Sequence, residues 1–280
     1  MEKIVTLPPN TDFDKLMKRF ILLILCCLCL CIDKGYAQYI DGTTGLLHMP
    51  TADMQRDKTL MLGAGYLRKE ATPSKWYYDT WNYYLNVTFF PWLEVSYTCV
   101  LFTAKSLGLE PYGYSGYTNQ DRHFSARLRL WKEGWWKPWT PQIVLGVNDF
   151  TSGSGGDYTN FGVDGDGNGY FNRYYLAATK HLDFLNWGKV GVHAAYVYNK
   201  RNVDKLNGIA LGADYAVPLP VNRHKLLKLL HEVKVMAEYD SKGINIGGNL
   251  SIWEDHFNVM MELYRCKYPS VGINFKVHLK

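Results

Sequence analysis

The sequence predicts an all-β chain: an antiparallel transmembrane β-barrel of about twelve strands, preceded by an N-terminal arm outside the wall. Three observations predict it. The first is periodicity. In the last stretch Val271, Ile273, Phe275, Val277 and Leu279 alternate with Gly272, Asn274, Lys276 and His278. A period of two sends alternate side chains to opposite faces of a strand, and this pattern recurs about a dozen times along the chain. The second is an apolar leader in front of the repeats. The third is the placement of aromatic residues, which gather at strand ends instead of mid-strand.

The leader is Phe20 to Ile32, the one long apolar run, with Lys15, Lys18 and Arg19 before it and Gly35-Tyr36-Ala37 after it. It is too short to span a bilayer as a helix and has the parts of a secretory signal, with cleavage expected between Ala37 and Gln38 and Met17 as the expected start. Cys26, Cys27, Cys29 and Cys31 raise the rival of a lipoprotein leader, but none follows the small residue that a lipid-attachment cysteine requires. The expected organisation is a signal peptide over 1–37, an arm or plug over 38–58 and an outer-membrane barrel over 59–280.

Formal net charge is +5, falling to about +4 without the leader, too mild a balance to imply a nucleic-acid partner. Mean hydropathy of −0.21 argues against helical membrane spans and not against a barrel, whose lumen residues dilute its lipid-facing ones. Cys99 and Cys266 remain in the mature chain. Placed on the third and eleventh strands, they stand about 20 Å apart around the wall at ~4.8 Å per strand. A disulfide needs Cα atoms within about 7 Å, so both thiols are expected free and packed.

Taken in order, Gln38 to Lys58 is broken by Gly42, Gly45 and Pro50 and is no strand. The apolar faces then read Leu60, Leu62, Ala64 and Tyr66; Tyr83, Leu85, Val87 and Phe89; after the Pro91 turn, Leu93, Val95 and Tyr97; then Phe124, Ala126, Leu128 and Leu130; then Ile143, Leu145 and Val147. Strands over Tyr174 to Leu182, Val190 to Tyr198, Ile209 to Val217, Val233 to Tyr239, Ile244 to Ile252 and Phe257 to Leu263 follow, and the closing strand seals the wall. Long Gly- and Tyr-rich connections, Phe102 to Gln120 and Phe150 to Phe171, are expected at the outer mouth, and short ones at Pro91, Asp183 to Gly188 and Trp253 to His256 at the inner. Trp131 to Pro141 and Pro218 to Leu230 are longer than that rule allows; the second, rich in Lys225, Leu226, Leu227 and Lys228, reads first as a solvated excursion and second as a short basic amphipathic helix at the inner rim. Trp76, Tyr77, Tyr78, Trp81, Phe90, Trp92, Trp131, Trp135, Trp136, Trp139, Trp187 and Trp253 are expected at the headgroup boundary, where rings have one apolar and one wet side.

The segment Gly45-Leu46-Leu47-His48-Met49-Pro50-Thr51-Ala52 resembles the opening motif of the YjbH-like family, outer-membrane proteins linked to exopolysaccharide and capsule production; Gly45, Leu46, Pro50, Thr51 and Ala52 carry the match. Gly146-Val147-Asn148-Asp149, running after a Gly-rich loop into Tyr174-Tyr175-Leu176-Ala177-Ala178-Thr179-Lys180, resembles a second family feature, and Trp92-Leu93-Glu94-Val95 a third. The resemblance covers Gly42 to about Tyr198 best. Many members are far longer, so it implies a short, single-barrel version. Ser270, Gly272, Phe275 and Val277 resemble the C-terminal assembly signal of outer-membrane barrels, with Lys280 departing from its aromatic ending. What the resemblance implies is a non-enzymatic part in exopolysaccharide or capsule secretion or surface assembly in a Gram-negative envelope, with outer-membrane lipid, polysaccharide and other secretion proteins as partners. A small-solute channel is the alternative, and a barrel hydrolase a third reading.

Chemistry-bearing motifs are scarce. Asp164, Asp166 and Asn168 begin a calcium-loop pattern, but Tyr175 stands where the bidentate Glu belongs, so no metal is expected. The histidines are scattered and no Gly-x-Ser-x-Gly motif occurs, so neither a catalytic centre nor a cofactor is expected. The inward positions carry Arg127, Arg129, His193, Asp214, Lys234, Glu238, Glu262 and Lys276 beside Asn86, Thr88, Glu94, Asn245, Asn249 and Asn274. Charges of both signs inside a barrel read first as a salt-bridged filling and second as a path for sugars. Wall glycines Gly63, Gly65, Gly146, Gly191, Gly212 and Gly247 leave room for backbone inside, and Gly45 to Ala52 is expected to dock at the periplasmic mouth.

Overall fold

The computed structural model describes residues 42–72, 76–105, 108–113, 115–153, 160–161, 170–184, 188–199, 207–219 and 229–279. The expected signal peptide, the calcium-like residues Asp164, Asp166 and Asn168, Trp187 and the stretch Lys225 to Lys228 lie outside them. The wall is built from β1 (Thr59–Leu67), β2 (Thr80–Phe90), β3 (Leu93–Thr103), β4 (Tyr117–Trp131) and β5 (Gln142–Gly153), then β7 (Arg173–Asp183), β8 (Lys189–Tyr198), β9 (Gly208–Ala216), β10 (Leu230–Tyr239), β11 (Ile244–Ile252), β12 (Phe257–Tyr264) and β13 (Tyr268–His278), with a two-residue β6 (Asn160–Phe161) pairing on β5. Each wall strand runs antiparallel to its neighbours in sequence, and β13 closes on β1 from Thr59 opposite His278 to Tyr66 opposite Val271. The result is a closed barrel of twelve antiparallel strands. Closure leaves no unpaired edge, the condition for strands to cross a bilayer.

The alternation that predicted the strands also sorts their faces. Leu62, Leu85, Phe124, Leu145, Leu176, Val192, Leu211, Val235, Ile246, Met261, Ile273 and Phe275 point outward and are exposed, whereas Asn86, Glu94, Arg127, His193, Asp214, Asn249 and Lys276 point inward and are buried. A soluble sandwich would show the reverse, so this inverted core identifies the barrel.

Both β1 and β13 meet the arm at one end, the near mouth, where β2, β4, β7, β9 and β11 also end. Exposed Phe90, Trp92, Trp131, Trp135, Trp136, Trp139 and Trp253 ring it. The far mouth carries exposed Tyr77, Trp81, Tyr117, Tyr174, Tyr198 and Tyr239. Trp76 departs from the expected belt. It is buried, with its ring 4.8 Å from Phe102, 5.7 Å from Phe171 and 5.9 Å from Tyr170, an aromatic cluster inside the far mouth. The chain turns inward there before β2 begins, so the ring finds other rings before it finds the boundary.

Cys99 on β3 is buried and free. Cys266 is free but exposed, which corrects the expectation that it packs. β12 stops at Tyr264, and Arg265 and Cys266, with φ of 53° and 55°, form a left-handed turn at the mouth, where the exposed thiol donates to the Ile244 carbonyl at 3.4 Å.

Candidate functional site, a plugged lumen

Residues Gly42 to Gln55 occupy the interior, and Arg56 to Lys58 emerge from it toward β1. Gly45 and Pro50 pair as an isolated antiparallel bridge, and the Leu46 N–H donates to the Met49 carbonyl at 3.2 Å, so the apolar stretch closes into a small hairpin. Asn86 donates to the Gly42 carbonyl at 2.7 Å, and Glu94, at the near-mouth start of β3, accepts the Thr44 N–H and hydroxyl, both at 2.8 Å. The tip is held elsewhere. Glu238, near the far-mouth end of β10, accepts the backbone N–H of Leu47 at 3.0 Å, His48 at 2.8 Å and Met49 at 3.1 Å. The chain then returns. Arg127 donates to the Thr51 carbonyl, Gln142 to the Ala52 carbonyl, and the Ala52 N–H donates to Thr179 Oγ1 at 2.9 Å. The expectation of docking at the periplasmic mouth, the near one if the N-terminus is periplasmic, is therefore corrected: Leu47 to Met49 reach the far end, because the wall offers their amides a carboxylate there.

The wall glycines explain the depth. A Cβ at Gly212 would meet Leu46 Cδ1 and Met49 Sδ, and one at Gly247 would meet Leu47 Cδ2. At Gly63 and Gly146 the space belongs to the rings of Tyr84 and Tyr175, at Gly65 to Asn82 and at Gly191 to Asp214 and His193. Side chains fill most of these gaps, and at Gly247 the Met261 carbonyl oxygen also stands 2.5 Å from where a Cβ would be.

Charge is matched around this hairpin. His48 Nε2 lies 2.7 Å from Glu262 Oε1. Burial works to lower the His48 pKa, but the Glu262 carboxylate against it, with Glu238 and Asp240 further off, prevails and raises it to about 9. Arg127 pairs with Glu94 at 3.1 Å, and Lys276 with Asp255 at 3.0 Å near the closing seam. His193 is bonded at Nδ1 to Thr179 Oγ1 at 2.9 Å and at Nε2 to Asp214 at 2.7 Å; Lys234 approaches Asp214 at 3.3 Å, and Asp53 of the arm lies 3.9 Å from His193 and 3.4 Å from His181. Arg129 is half-buried toward the near mouth. Thr179, His193 and Asp214 have the connectivity of a nucleophile, base and orienting acid. Thr179 is only 1% exposed and its Oγ1 already takes the Ala52 N–H, so no substrate reaches it while the plug is seated.

Of the anticipated lumen residues, Arg127, Glu238 and Glu262 hold the arm, together with Asn86 and Glu94, whereas Asp214 pairs with His193 and Lys234, and Lys276 with Asp255. Sequence reading missed Thr179, Gln142, Asp53 and His48 as contact residues, and Arg173, which donates to the His48 carbonyl at 3.5 Å. It also missed Asp121, His123 and Asp149. Among the described residues this trio and the trio Asp53, His193 and Asp214 each bring three potential metal ligand atoms within 4.8 Å of one another. The one available signal was Asn148-Asp149, two adjacent polar residues that interrupt a period of two.

Residues 38–209 match a family model, YjbH, described as "Exopolysaccharide biosynthesis protein YbjH". The curated protein "Uncharacterized lipoprotein YjbH" of Escherichia coli strain K12 is 34% identical over 167 residues, 56% of this chain and 19% of that protein, so the chain spans about a fifth of that relative's length. Among solved structures, the Salmonella typhi outer membrane phospholipase dimer with bound calcium is similar at 16% identity and a TM-score of 0.37, over 79% of this chain and 90% of that one. Outer membrane phospholipase A from Escherichia coli is similar at 14% identity and a TM-score of 0.37, over 80% and 90%.

Proposed function

The chain belongs to the YjbH family of exopolysaccharide biosynthesis proteins, and from that premise we propose that it is a non-enzymatic outer-membrane barrel serving secretion or surface assembly of an exopolysaccharide or capsule. The apolar outward face and the aromatic rims suit a bilayer. The observation that carries the reading is the plug. A general small-solute pore keeps a standing water path, whereas here Glu94, Arg127 and Glu238 of the lumen bind a hairpin that runs from one mouth to the other. With the hairpin displaced, the same Asn, Thr, Glu and Arg side chains and the Tyr84 and Tyr175 rings would present hydrogen-bonding groups and flat faces, the chemistry that sugars bind.

Partners follow from the same reading: outer-membrane lipid around the wall, polysaccharide, and other envelope secretion proteins at the near mouth. Deleting the gene and measuring surface polysaccharide tests it. Reduced or mislocalised polymer is expected, and an unchanged amount and distribution would defeat the reading. Recovery of the protein in the soluble periplasm after alkaline washing of membranes would defeat the membrane assignment separately.

A further inference from the structure

We propose that Asp121, His123 and Asp149 form a binding site for a divalent transition-metal ion, best matched by Zn2+, that pins β4 to β5 inside the far mouth. The strand period places Asp121 and His123 side by side on the lumen face of β4, 0% and 1% exposed. Asp149 arrives differently. The β4–β5 register steps from Ala126 opposite Val147 to Phe124 opposite Thr151, so Asn148, Asp149 and Phe150 face Ser125 alone. Such a bulge re-aims side chains that regular pairing would send elsewhere. Asp149 sits at φ 50°, fully buried; its N–H donates to Ser125 Oγ at 3.3 Å, and its Oδ2 accepts the Phe171 N–H at 3.0 Å, which fixes the carboxylate.

His123 points to a ligand. Neither ring nitrogen makes a hydrogen bond, although the side chain is buried. The nearest carboxylate oxygen, Asp121 Oδ2, is 3.6 Å from Nδ1, too long for a hydrogen bond. A buried imidazole with both nitrogens unmet is costly, and a metal ion satisfies one of them without a donor proton.

Geometry and charge agree. Tetrahedral Zn2+ at about 2.0–2.2 Å from each ligand atom spaces the ligands roughly 3.5 Å apart. The Asp121–His123 pair is already at that spacing, and the trio as a whole lies within 4.8 Å. Two carboxylates, a neutral imidazole and a divalent ion sum to zero charge in a buried place. Calcium and magnesium favour oxygen-only shells, whereas imidazole selects Zn2+ and its neighbours. The Phe171 ring, 5.4 Å from the imidazole, holds it in place. The other trio is different: both His193 nitrogens are bonded and Lys234 already neutralises Asp214.

The test uses the full chain folded in detergent, stripped with EDTA, dialysed, and titrated with Zn2+ and with Co2+. One Zn2+ per chain by mass spectrometry, visible Co2+ bands of nitrogen–oxygen coordination, and a thermal midpoint several degrees lower after stripping are expected. His123→Gln should weaken Zn2+ binding at least tenfold while the heat-modifiable mobility of a folded barrel persists. No uptake by the wild-type chain, or unchanged affinity in His123→Gln, overturns the site. If His123→Gln fails to fold, Asp121→Asn takes its place, and a Co2+ spectrum identical to the wild type's overturns it equally.

Discussion

Glu238 holds His48 by the backbone: one carboxylate oxygen accepts the His48 N–H at 2.8 Å, and the other takes Leu47 and Met49 on either side at 3.0 and 3.1 Å. Three consecutive amides on one carboxylate fix the hairpin tip without regard to its side chains. Charge-assisted bonds of this kind are the strong ones. Glu238→Ala should lower the opening free energy of the hairpin by roughly 2–4 kcal/mol. Amide hydrogen exchange at Leu47 to Met49 reads this directly, and exchange as slow as in the wild type would show that packing alone seats the tip.

The His48–Glu262 pair makes the seat pH-dependent. A pKa raised from the ordinary histidine value to about 9 in the folded chain means that protonation and seating favour each other. The contribution is fully present below pH ~6.5 and is lost as pH rises through about 9, with an upper size of about 3 kcal/mol for such a shift. Protection factors of the hairpin amides, which divide out the base-catalysed rise in intrinsic exchange, should therefore fall between pH ~6.5 and ~9.5 in the wild-type chain. His48→Gln should flatten that dependence, and an equal slope in the variant would remove the pair from the account.

Glu133, on the near-mouth connection, behaves with the opposite sign. Partial burial acts to raise its pKa, but Lys180 at 2.8 Å and His181 at 2.7 Å prevail and hold its carboxyl down at about 2. The link it makes between the 132–141 connection and β7 is present above the ordinary Glu range and fades only as pH falls through about 2. Limited proteolysis of this connection should accelerate in Glu133→Gln at neutral pH. It should stay slow in the wild-type chain down to pH 4.

The wall glycines give a steric test. A Cβ at Gly146 would collide with the Tyr175 ring lying across it from β7. Gly146→Ala should destabilise the barrel by about 1–3 kcal/mol, the usual size of overpacking. Urea unfolding of the single variant and of Gly146→Ala with Tyr175→Ala separates sterics from glycine's backbone freedom. Recovery in the double variant is expected, and an additive loss would place the effect in the backbone.

Strand order and facing were legible because one barrel wall needs only a period of two, and the period runs through most of the wall, broken in β5 at Asn148-Asp149. The closing pair, Val271 opposite Tyr66, follows from that and from an even strand count. The arm's identity was legible too, through Gly45 and Pro50. Its depth was not, since the partners that draw it in, Glu238 and Thr179, are 189 and 127 residues away from Met49 and Ala52. A charged residue on an inward face looks the same whether it meets water, another wall strand or a backbone amide. Trp76 misled for a related reason: composition places rings at strand ends, and only tertiary packing says on which side of the wall.

Removing Gln38 to Asp53 tests the plug as a whole. The segment contacts Glu94, Arg127, Gln142, Thr179 and Glu238 at once, so its loss removes the arm's hydrogen bonds from buried polar groups at both mouths. Such groups stay charged only if water enters to solvate them. Entry of water along the whole length is a continuous path, because the hairpin occupied the whole length. A lumen of about twelve strands is wider than the side-chain-filled interior of an eight-stranded barrel, so the path is wide enough to conduct. The deletion variant should therefore assemble, run as a heat-modifiable barrel with reduced stability, and give steady current in planar bilayers where the wild-type chain gives little. Current at the wild-type level from a correctly assembled deletion variant would mean that the wall side chains close the lumen unaided, and the hairpin would then be a brace and not a gate.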